Sequence, residues 1–306
     1  MRAATTEVTY RRARPEDVPG IDAVVAAADA GPAVTPAAPG DASDAPGFLP
    51  GTQAAYLTHL VGRPKAAVAV ATDPDDAIVA FAAAVETGRA VHLADLFVHP
   101  ERQGQGIGRR LLEDVFGESH GRPFTTFASD DPRALPIYVR AGMAAWWPNL
   151  YLAGDPGGLP TRGPDEPEVV TTTLATIAEH ERRWAGVDRD PELAYWSTLA
   201  GGQALVARHD GTIVGVGFVR DRLSGPGRWL DHAVVAPGAD GATVLLAIAR
   251  AGWDGAELAG ASVPGPSGLV PVLLRAGFTI RDRDTFLASD PSVVDAAREV
   301  VNTGFL

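Results

Sequence analysis

Hydrophobic and polar positions in residues 8–153 follow two spacings. Short apolar runs rich in β-branched residues and bounded by turn residues predict strands, and Ile107, Leu111, Leu112, Val115 and Phe116 recur at helical spacing. The predicted strands cover 8–14, 66–72, 77–86, 90–98, 124–129 and 145–153. Predicted helices cover 15–29, the stretch from Ile107 to Phe116, and a stretch that starts near Asp131-Pro132 and stops at Gly142. The order alternates strands and helices, which is typical of an α/β domain.

The chain repeats itself at a nearly constant offset. The stretches "AIVAF" (77–81), "RAG" (140–142) and "LAGDP" (152–156) reappear 135 residues later as "TIVGV", "RAG" and "LASDP". The stretch "DLFVHP" (95–100) matches "HAVVAP" (232–237) at an offset of 137, so the second copy lost two residues just after this strand. Matches in one order at one spacing indicate a duplicated domain.

The duplication and a Gly/Pro-rich stretch predict the domain boundaries. We expect one domain over residues 1–155, a linker over 156–167 and a second domain over 168–306. A Pro-, Gly-, Ala- and Asp-rich segment (29–52) interrupts the first copy, and its counterpart in the second copy is shorter. A long loop of this kind is either functional or disordered.

Composition narrows the class of protein. The 306 residues include 46% hydrophobic and 21% charged residues, which is ordinary for globular domains, and two domains suit this length. Acidic residues exceed basic ones by 12, which disfavours nucleic acid as a general partner. The absence of cysteine excludes thiol nucleophiles and thiolate ligands. Without a signal peptide or an apolar run of about 18 residues, we expect a cytoplasmic protein that is not in the membrane.

One glycine-rich loop carries the clearest chemical signal. The stretch "HPERQGQGIGRRLL" (99–112) lies between a predicted strand and the start of an amphipathic helix, where free amides and the helix dipole favour an anion. A Walker loop would end in Gly-Lys-Ser/Thr, but Arg109 and Arg110 follow Gly108. A dinucleotide fingerprint would require glycine at position 109. Both of these phosphate loops are therefore excluded.

The loop instead resembles the acetyl-CoA motif of the GNAT (Gcn5-related) N-acetyltransferases, Gln/Arg-x-x-Gly-x-Gly/Ala, through Gln103, Gly106 and Gly108. "LFVHPE" is similar to the family's fourth strand, and Ala134, Tyr138 and Gly142 meet the pattern Ala-x-x-x-Tyr-x-x-x-Gly of a later helix. The likeness covers roughly residues 7–155. It implies an α/β fold of two tandem GNAT domains, each a mostly antiparallel twisted sheet with helices on both faces.

The resemblance also implies where acetyl-CoA binds. The amides of residues 103–109 would bind its pyrophosphate; these are Gln103, Gly104, Gln105, Gly106, Ile107, Gly108 and Arg109. Pantetheine would pair like an added strand near Leu96, Phe97 and Val98. Arg109 or Arg110 would reach a phosphate, or else form a solvated helix face.

Direct attack of an amine on a thioester requires a base for the ammonium and an acid for the thiolate. Tyr138 stands where the family has its general acid. The base is open between His92, Asp95 and a water relay, and His92 and Asp95 point to opposite faces of a regular strand unless a bulge intervenes. Asp131 stands where the family often has Asn, and it serves equally well as a helix cap.

The second copy lacks these groups. The offsets map Tyr138 to Leu273 and His92 to Trp229, and "GADGAT" (238–243) replaces the Gln-x-x-Gly-x-Gly run. We therefore expect one active domain followed by a degenerate one that is structural or shapes the substrate site.

The expected function is acetyl-CoA-dependent N-acetylation of a primary amine, with a small molecule as the favoured acceptor. Alternatives are a protein lysine or N-terminal acetyltransferase, a non-catalytic acyl-CoA sensor, and a self-resistance enzyme that acetylates an antibiotic amine. No metal is expected, because His180, His209 and His232 lack ligand spacing. The sequence leaves open whether the protein is a monomer or a homodimer.

Overall fold

A computed structural model describes residues 7–29, 52–117, 121–129, 131–223 and 225–306. Most of the loop at 29–52 lies outside the described residues. The first half contains β1 (Thr9–Arg12), α1 (Val18–Asp29), α2 (Thr52–Gly62), β2 (Ala66–Thr72), β3 (Ile78–Glu86), β4 (Val91–Val98), α3 (Ile107–Phe116), β5 (Phe124–Ala128), α4 (Leu135–Arg140) and β6 (Ala144–Gly154).

The second half repeats this order. It contains β7 (Glu168–Thr171), α5 (Leu174–Trp184), α6 (Asp190–Trp196), β8 (Gln203–His209), β9 (Thr212–Asp221), β10 (Arg228–Val235), α7 (Gly241–Gly252), β11 (Ala259–Pro264), α8 (Leu269–Arg275) and β12 (Thr279–Ala288), followed by β13 (Glu299–Val300). The duplication inferred from four short matches therefore extends to every element of the first half. β13 has no counterpart among the described residues of the first half.

The predicted helical face of α3 is present. Ile107, Leu111, Leu112, Val115 and Phe116 are all buried against the sheet. α4 begins at Leu135, so Pro136 lies in the first turn, where its missing amide donor costs no helical hydrogen bond. Within the described residues, no helix is both long enough and apolar enough to cross a membrane.

The two halves form one continuous sheet. Its strand order is β1-β2-β3-β4-β5-β12-β6-β11-β10-β9-β8-β7, and β13 pairs with β10. The pairs β4–β5 and β10–β11 are parallel, and the other pairs are antiparallel. This is the mixed, mostly antiparallel sheet that the sequence predicts.

The last strand of each copy lies within the half formed by the other copy. β6 pairs with β11, and β12 pairs with β5, while β6 and β12 pair with each other at the centre. Leu152 of β6 packs in the core of the second half, and Leu287 of β12 packs in the core of the first. The linker between the copies is therefore a connection within one sheet.

Helices cover both faces of this sheet. α1 and α2 share one apolar cluster with α5 and α6 of the other half, through residues such as Ile21, Leu57, Ile177 and Trp196. On the opposite face, α3 covers the first half and α7 the second, each over a separate cluster. Because one cluster contains residues of both halves, the halves bury apolar surface together.

Candidate active site

The glycine loop ends in a row of backbone donors. Gly104 and Gly106 have φ values of +75° and +81°, which L side chains adopt at a cost. Among the described residues, the amides of 104–109 have no hydrogen-bond acceptor, whereas the amide of Arg110 donates to the carbonyl of Gly106 at 3.2 Å. These donors lie at the N-terminus of α3, where the helix dipole adds a positive potential. The loop is therefore suited to bind an anion.

Side chains hold the loop in place. Gln103 Nε2 donates to the carbonyl oxygen of Val98 at 3.1 Å, and Gln103 Oε1 accepts from Arg133 at 2.5 Å. Arg133 also pairs with Asp131 at 2.8 Å, and this hydrogen bond lowers the pKa of Asp131. Gln103 therefore positions the loop against β4, and Asp131 orients the arginine that holds it.

Arg109 and Arg110 lie at the exposed surface of α3. Arg109 approaches Glu113 at 3.4 Å, and Arg110 approaches Asp114 at 3.1 Å. Arg109 also borders a groove of about 290 Å³ between α3 and α4, together with Arg140. Of the two arginines, Arg109 thus shares a groove with a second cation.

β4 separates from β5 beside this loop. Within the described residues, the two strands pair from Val91–Phe124 to Leu93–Thr126 and no further. Leu96 and Val98 point toward α3, because a Cβ on Gly108 would lie 3.9 and 3.4 Å from their side chains. Phe97 points to the other face and stacks on Phe81. Beyond Leu93 the two strands therefore diverge, with Leu96 and Val98 on the loop side of the sheet and Phe97 on the opposite face.

A β-bulge at Ala94 changes which side chains share a face. Opposite β3, Leu93 pairs with Ala84 and Asp95 pairs with Ala83, so Ala94 is the extra residue. His92 pairs with Val85, and consequently His92 and Asp95 point to the same face. In a regular strand His92 and Asp95 would point to opposite faces, and the bulge at Ala94 removes this difference.

Tyr138 of α4 lies on the loop side of the sheet. Its side chain is 6% exposed and belongs to the cluster formed by α3, Leu96 and Leu287. Burial raises the pKa of the Tyr138 phenol well above its ordinary value, and the negative charges of Asp131, Asp95 and Asp284 raise it further. Tyr138 is therefore protonated at neutral pH and can act as a proton donor.

His92 is fully enclosed. Its Nδ1 lies 3.0 Å from Thr125 Oγ1, and its Nε2 lies 2.9 Å from the carbonyl oxygen of Thr303. Burial lowers the pKa of His92 to about 4, so the ring is neutral at pH 7. Both ring nitrogens have protein partners, and His92 does not line the central cavity. This environment disfavours the role of base that the sequence suggested for it.

Asp95 reaches a cavity of about 350 Å³ between the two halves. Tyr56 of α2 donates a hydrogen bond to Asp95 Oδ2 at 2.9 Å. Burial raises the pKa of Asp95 to about 6, and the Tyr56 hydrogen bond opposes this effect. Asp95 is therefore ionised at neutral pH but basic enough to accept a proton.

Both halves line the cavity with carboxylates and aromatic rings. Tyr151 donates to Asp284 at 2.5 Å, and Arg220 pairs with Asp231 at 2.6 Å. Asn302 donates to the other oxygen of Asp231 at 2.8 Å. The aromatic walls are Tyr56, Phe97, Phe127, Tyr151, Tyr195, Trp229 and Phe305. Within the described ranges, no three potential ligand side chains gather to hold a metal ion.

Several residues that line the cavity were not predicted from the sequence. Tyr56 had a usable signal, since "YLTHL" and "YWSTL" place a tyrosine at equivalent helix positions (56 and 195) in both copies. Asp284 and Asn302 had no such signal. They reach the cavity through the strand exchange and through the segment after β12, neither of which leaves a periodic pattern.

The second half has different groups at the equivalent positions. Leu273 replaces Tyr138 and is buried in the second core, and Trp229 replaces His92 and lines the cavity. His232 occupies the position of Asp95 and pairs with Glu181 at 2.6 Å, where both residues are buried. No equivalent of the Tyr138 proton donor is therefore present at position 273.

The chain resembles known proteins in sequence and in structure. Residues 55–154 match the family described as acetyltransferase (GNAT) domain. A proposed acetyltransferase from Pyrococcus horikoshii shares 12% identity at a TM-score of 0.70, over 99% of this chain and 97% of its own. A tandem GNAT protein from the clavulanic acid biosynthesis pathway shares 18% identity at a TM-score of 0.59, over 93% of this chain and 99% of its own. A GCN5-related N-acetyltransferase from Sphaerobacter thermophilus shares 18% identity at a TM-score of 0.56, over 95% of this chain and 98% of its own.

The family match covers β4, the glycine loop and α4, which are the elements that form the site described above. The structural matches extend over both halves and concern the fold. Residues 55–154 therefore match the GNAT acetyltransferases, a family of acyltransferases, and the whole chain has a tandem GNAT fold.

Proposed function

We propose that the first half transfers an acetyl group from acetyl-CoA to a small primary amine held in the central cavity. One arrangement carries this proposal. The protonated phenol of Tyr138 and the carboxylate of Asp95 lie on opposite faces of the sheet, and Asp95 follows the point at which β4 separates from β5. A thioester and an amine that approach from the two faces would meet between a proton donor and a proton acceptor.

The residues of the loop side fit acetyl-CoA. Six free amides at 104–109 match a pyrophosphate, and the edge of β4 at Leu96 and Phe97 that has no β5 partner matches an extended amide chain. When bound, acetyl-CoA supplies the acetyl group as an activated thioester. The protein residues orient it: Gly108 permits close approach to α3, and Arg109 faces the groove between α3 and α4.

Two side chains move the protons in this proposal. Asp95 Oδ removes the proton of the ammonium, since its pKa of about 6 leaves it ionised at pH 7. The Tyr138 hydroxyl, which is protonated at pH 7, donates its proton to the departing sulfur as the carbon–sulfur bond breaks, and the newly acylated nitrogen gives up its second proton, which restores the phenol. His92 has a structural role in this proposal, because its Nε2 hydrogen-bonds to the carbonyl oxygen of Thr303, a residue that lines the cavity.

The cavity favours a small amine with an apolar body. Its volume of about 350 Å³ falls within the range of small-molecule sites. Four carboxylates, of Asp95, Asp231, Asp282 and Asp284, outnumber the three arginines around the cavity, Arg220, Arg222 and Arg281, and Arg220 is already paired with Asp231. The remaining negative charge would attract a cation, and the aromatic walls would pack against a ring or an alkyl chain. Because both halves line and enclose the site, it suits a small-molecule acceptor better than an acceptor residue on the surface of another protein.

Release of free CoA with a panel of amines tests this function. We expect turnover with tyramine or phenethylamine, and a fall in kcat of about 10²-fold in Tyr138→Phe with an unchanged Kd for acetyl-CoA. Tyr10→Phe, which removes a hydroxyl outside the cavity, is the matched control and should keep full activity. Tight binding of acetyl-CoA without turnover would instead support a sensor, and faster turnover of a lysine peptide would support a protein acceptor.

A further inference from the structure

The two copies differ in what lies beside the fourth strand. In the first half, no strand among the described residues pairs with the open edge of Leu96 and Phe97. In the second half, the equivalent residues Ala233 and Val234 pair with Val300 and Glu299 of β13. β13 thus occupies a groove of the second half whose equivalent in the first half is open.

Residues 298–306, hereafter the closing segment, are anchored in that groove. The carbonyl oxygen of Arg298 accepts from the amide of Val235 at 2.9 Å, and the Arg298 side chain donates back to the carbonyl of Val235 at 2.8 Å. Glu299 is buried and pairs with Arg89 of the first half at 2.6 Å. These bonds fix the direction in which the closing segment leaves the groove.

The closing segment then crosses to the first half. Asn302 donates to Asp231, and the carbonyl oxygen of Thr303 contacts His92. The Phe305 ring packs against Tyr56 at 5.5 Å and Tyr195 at 5.8 Å between ring centroids. Arg189, which is fully buried, donates to the carbonyl of Phe305 at 3.1 Å. Both halves therefore hold Asn302–Phe305 against the cavity.

Gly304 lies directly against the hydroxyl of Tyr56. A Cβ at this position would lie 2.7 Å from Tyr56 Oη and 3.1 Å from Tyr56 Cε2. Gly304 does not have a positive φ, so an alanine there would disturb Tyr56 without backbone strain. The same Tyr56 hydroxyl donates to Asp95 at 2.9 Å.

We infer that the closing segment is a positioning element of the acceptor site: anchored beside β10, it holds Gly304 against Tyr56 and so fixes the Tyr56 hydroxyl on Asp95. This inference rests on the proposed function, since it assigns Asp95 to the reaction. Gly304 and Tyr56 are positioning residues, because they act through Asp95 and not on the reacting atoms.

The test compares Gly304→Ala, Tyr56→Phe and the double variant, with Gly163→Ala in the exposed linker as control. Asp95 is followed in each by ¹³C NMR titration of its carboxyl carbon, assigned with Asp95→Asn. The other titratable or charged groups around the cavity are unchanged in all four variants: Tyr151, Tyr195, Arg220, Arg222, Asp231, Arg281, Asp282 and Asp284.

We expect Gly304→Ala and Tyr56→Phe each to move the titration midpoint of Asp95 to higher pH, since each weakens the hydrogen bond that stabilises the carboxylate. In activity assays with tyramine, each should lower kcat/KM about tenfold, and the double variant should lose little more than Tyr56→Phe alone. The Kd for acetyl-CoA should stay unchanged.

Two results would overturn the inference. One is an Asp95 midpoint in Gly304→Ala equal to that of the wild type, and the other is a Gly304→Ala effect that multiplies fully with that of Tyr56→Phe. Failure of the proposed function has a separate signature, since a wild type that acetylates no amine would still report the coupling of Gly304 to Asp95 by NMR.

Discussion

Asp95 depends on its neighbour Ala94 for its position. The bulge at Ala94 turns Asp95 to the same face as His92, and the two then meet different surroundings. His92 lies under the carbonyl of Thr303, whereas Asp95 reaches the cavity and the hydroxyl of Tyr56. Access to the cavity separates the two candidate bases, because both are desolvated and only Asp95 lines the cavity.

Substitution Asp95→Asn tests this assignment. Because the pKa of Asp95 is raised to about 6, wild-type kcat/KM should fall as the pH drops through 6 and the carboxylate takes up a proton. Asp95→Asn should lower kcat about 10²-fold or more and abolish that limb of the pH profile. His92→Gln serves as the comparison; if it removed the limb and Asp95→Asn did not, His92 would be the base.

The loop before α3 shows what single elements contribute. Gly104 and Gly106 accept left-handed backbone conformations, and α3 begins immediately afterwards with its apolar residues facing the sheet. Both features follow from local sequence, since glycine at these positions and helical spacing after them act within one turn. For this reason the loop and the helix were predictable from the sequence.

Gly106→Ala should weaken acetyl-CoA binding through the backbone. Nothing lies within 4 Å of a Cβ at Gly106, so the cost of about 1 kcal/mol comes from the left-handed φ of +81°. Gly211, in the β8–β9 turn of the second half, has a φ of +77° and is equally open. Both variants should lose similar stability in urea unfolding. A calorimetric titration should show weaker acetyl-CoA binding in Gly106→Ala alone, and equal weakening in both would contradict the assignment of the loop.

The whole molecule is held together by the exchanged strands. β6 and β12 each lie between strands of the other copy, and their central pair joins the two halves into one sheet. The backbone bonds and the buried side chains of Leu152 and Leu287 connect the halves independently of the linker. The central cavity, with Asp95 from one copy and Asp231 and Asp284 from the other, exists because of this exchange.

Cutting the linker should leave the protein intact. We expect a protease site inserted between Thr161 and Arg162, which are exposed, to be cleaved without separation of the fragments in gel filtration under native conditions. The cleaved protein should keep its acetyl-CoA affinity and separate in denaturant. Separation of the fragments in native buffer would show that the exchanged strands do not hold the halves together.

The predicted strands and helices of the first half, the duplication, the glycine loop and the position of Tyr138 follow from the sequence, because each depends on spacings within a few residues or on an offset along the chain. Three features are visible only in the folded protein: the exchange of β6 and β12, the different environments of Asp95 and His92, and the passage of the closing segment beside Tyr56. These features join residues far apart in the chain, and they follow from which surfaces pack together, which no local period records.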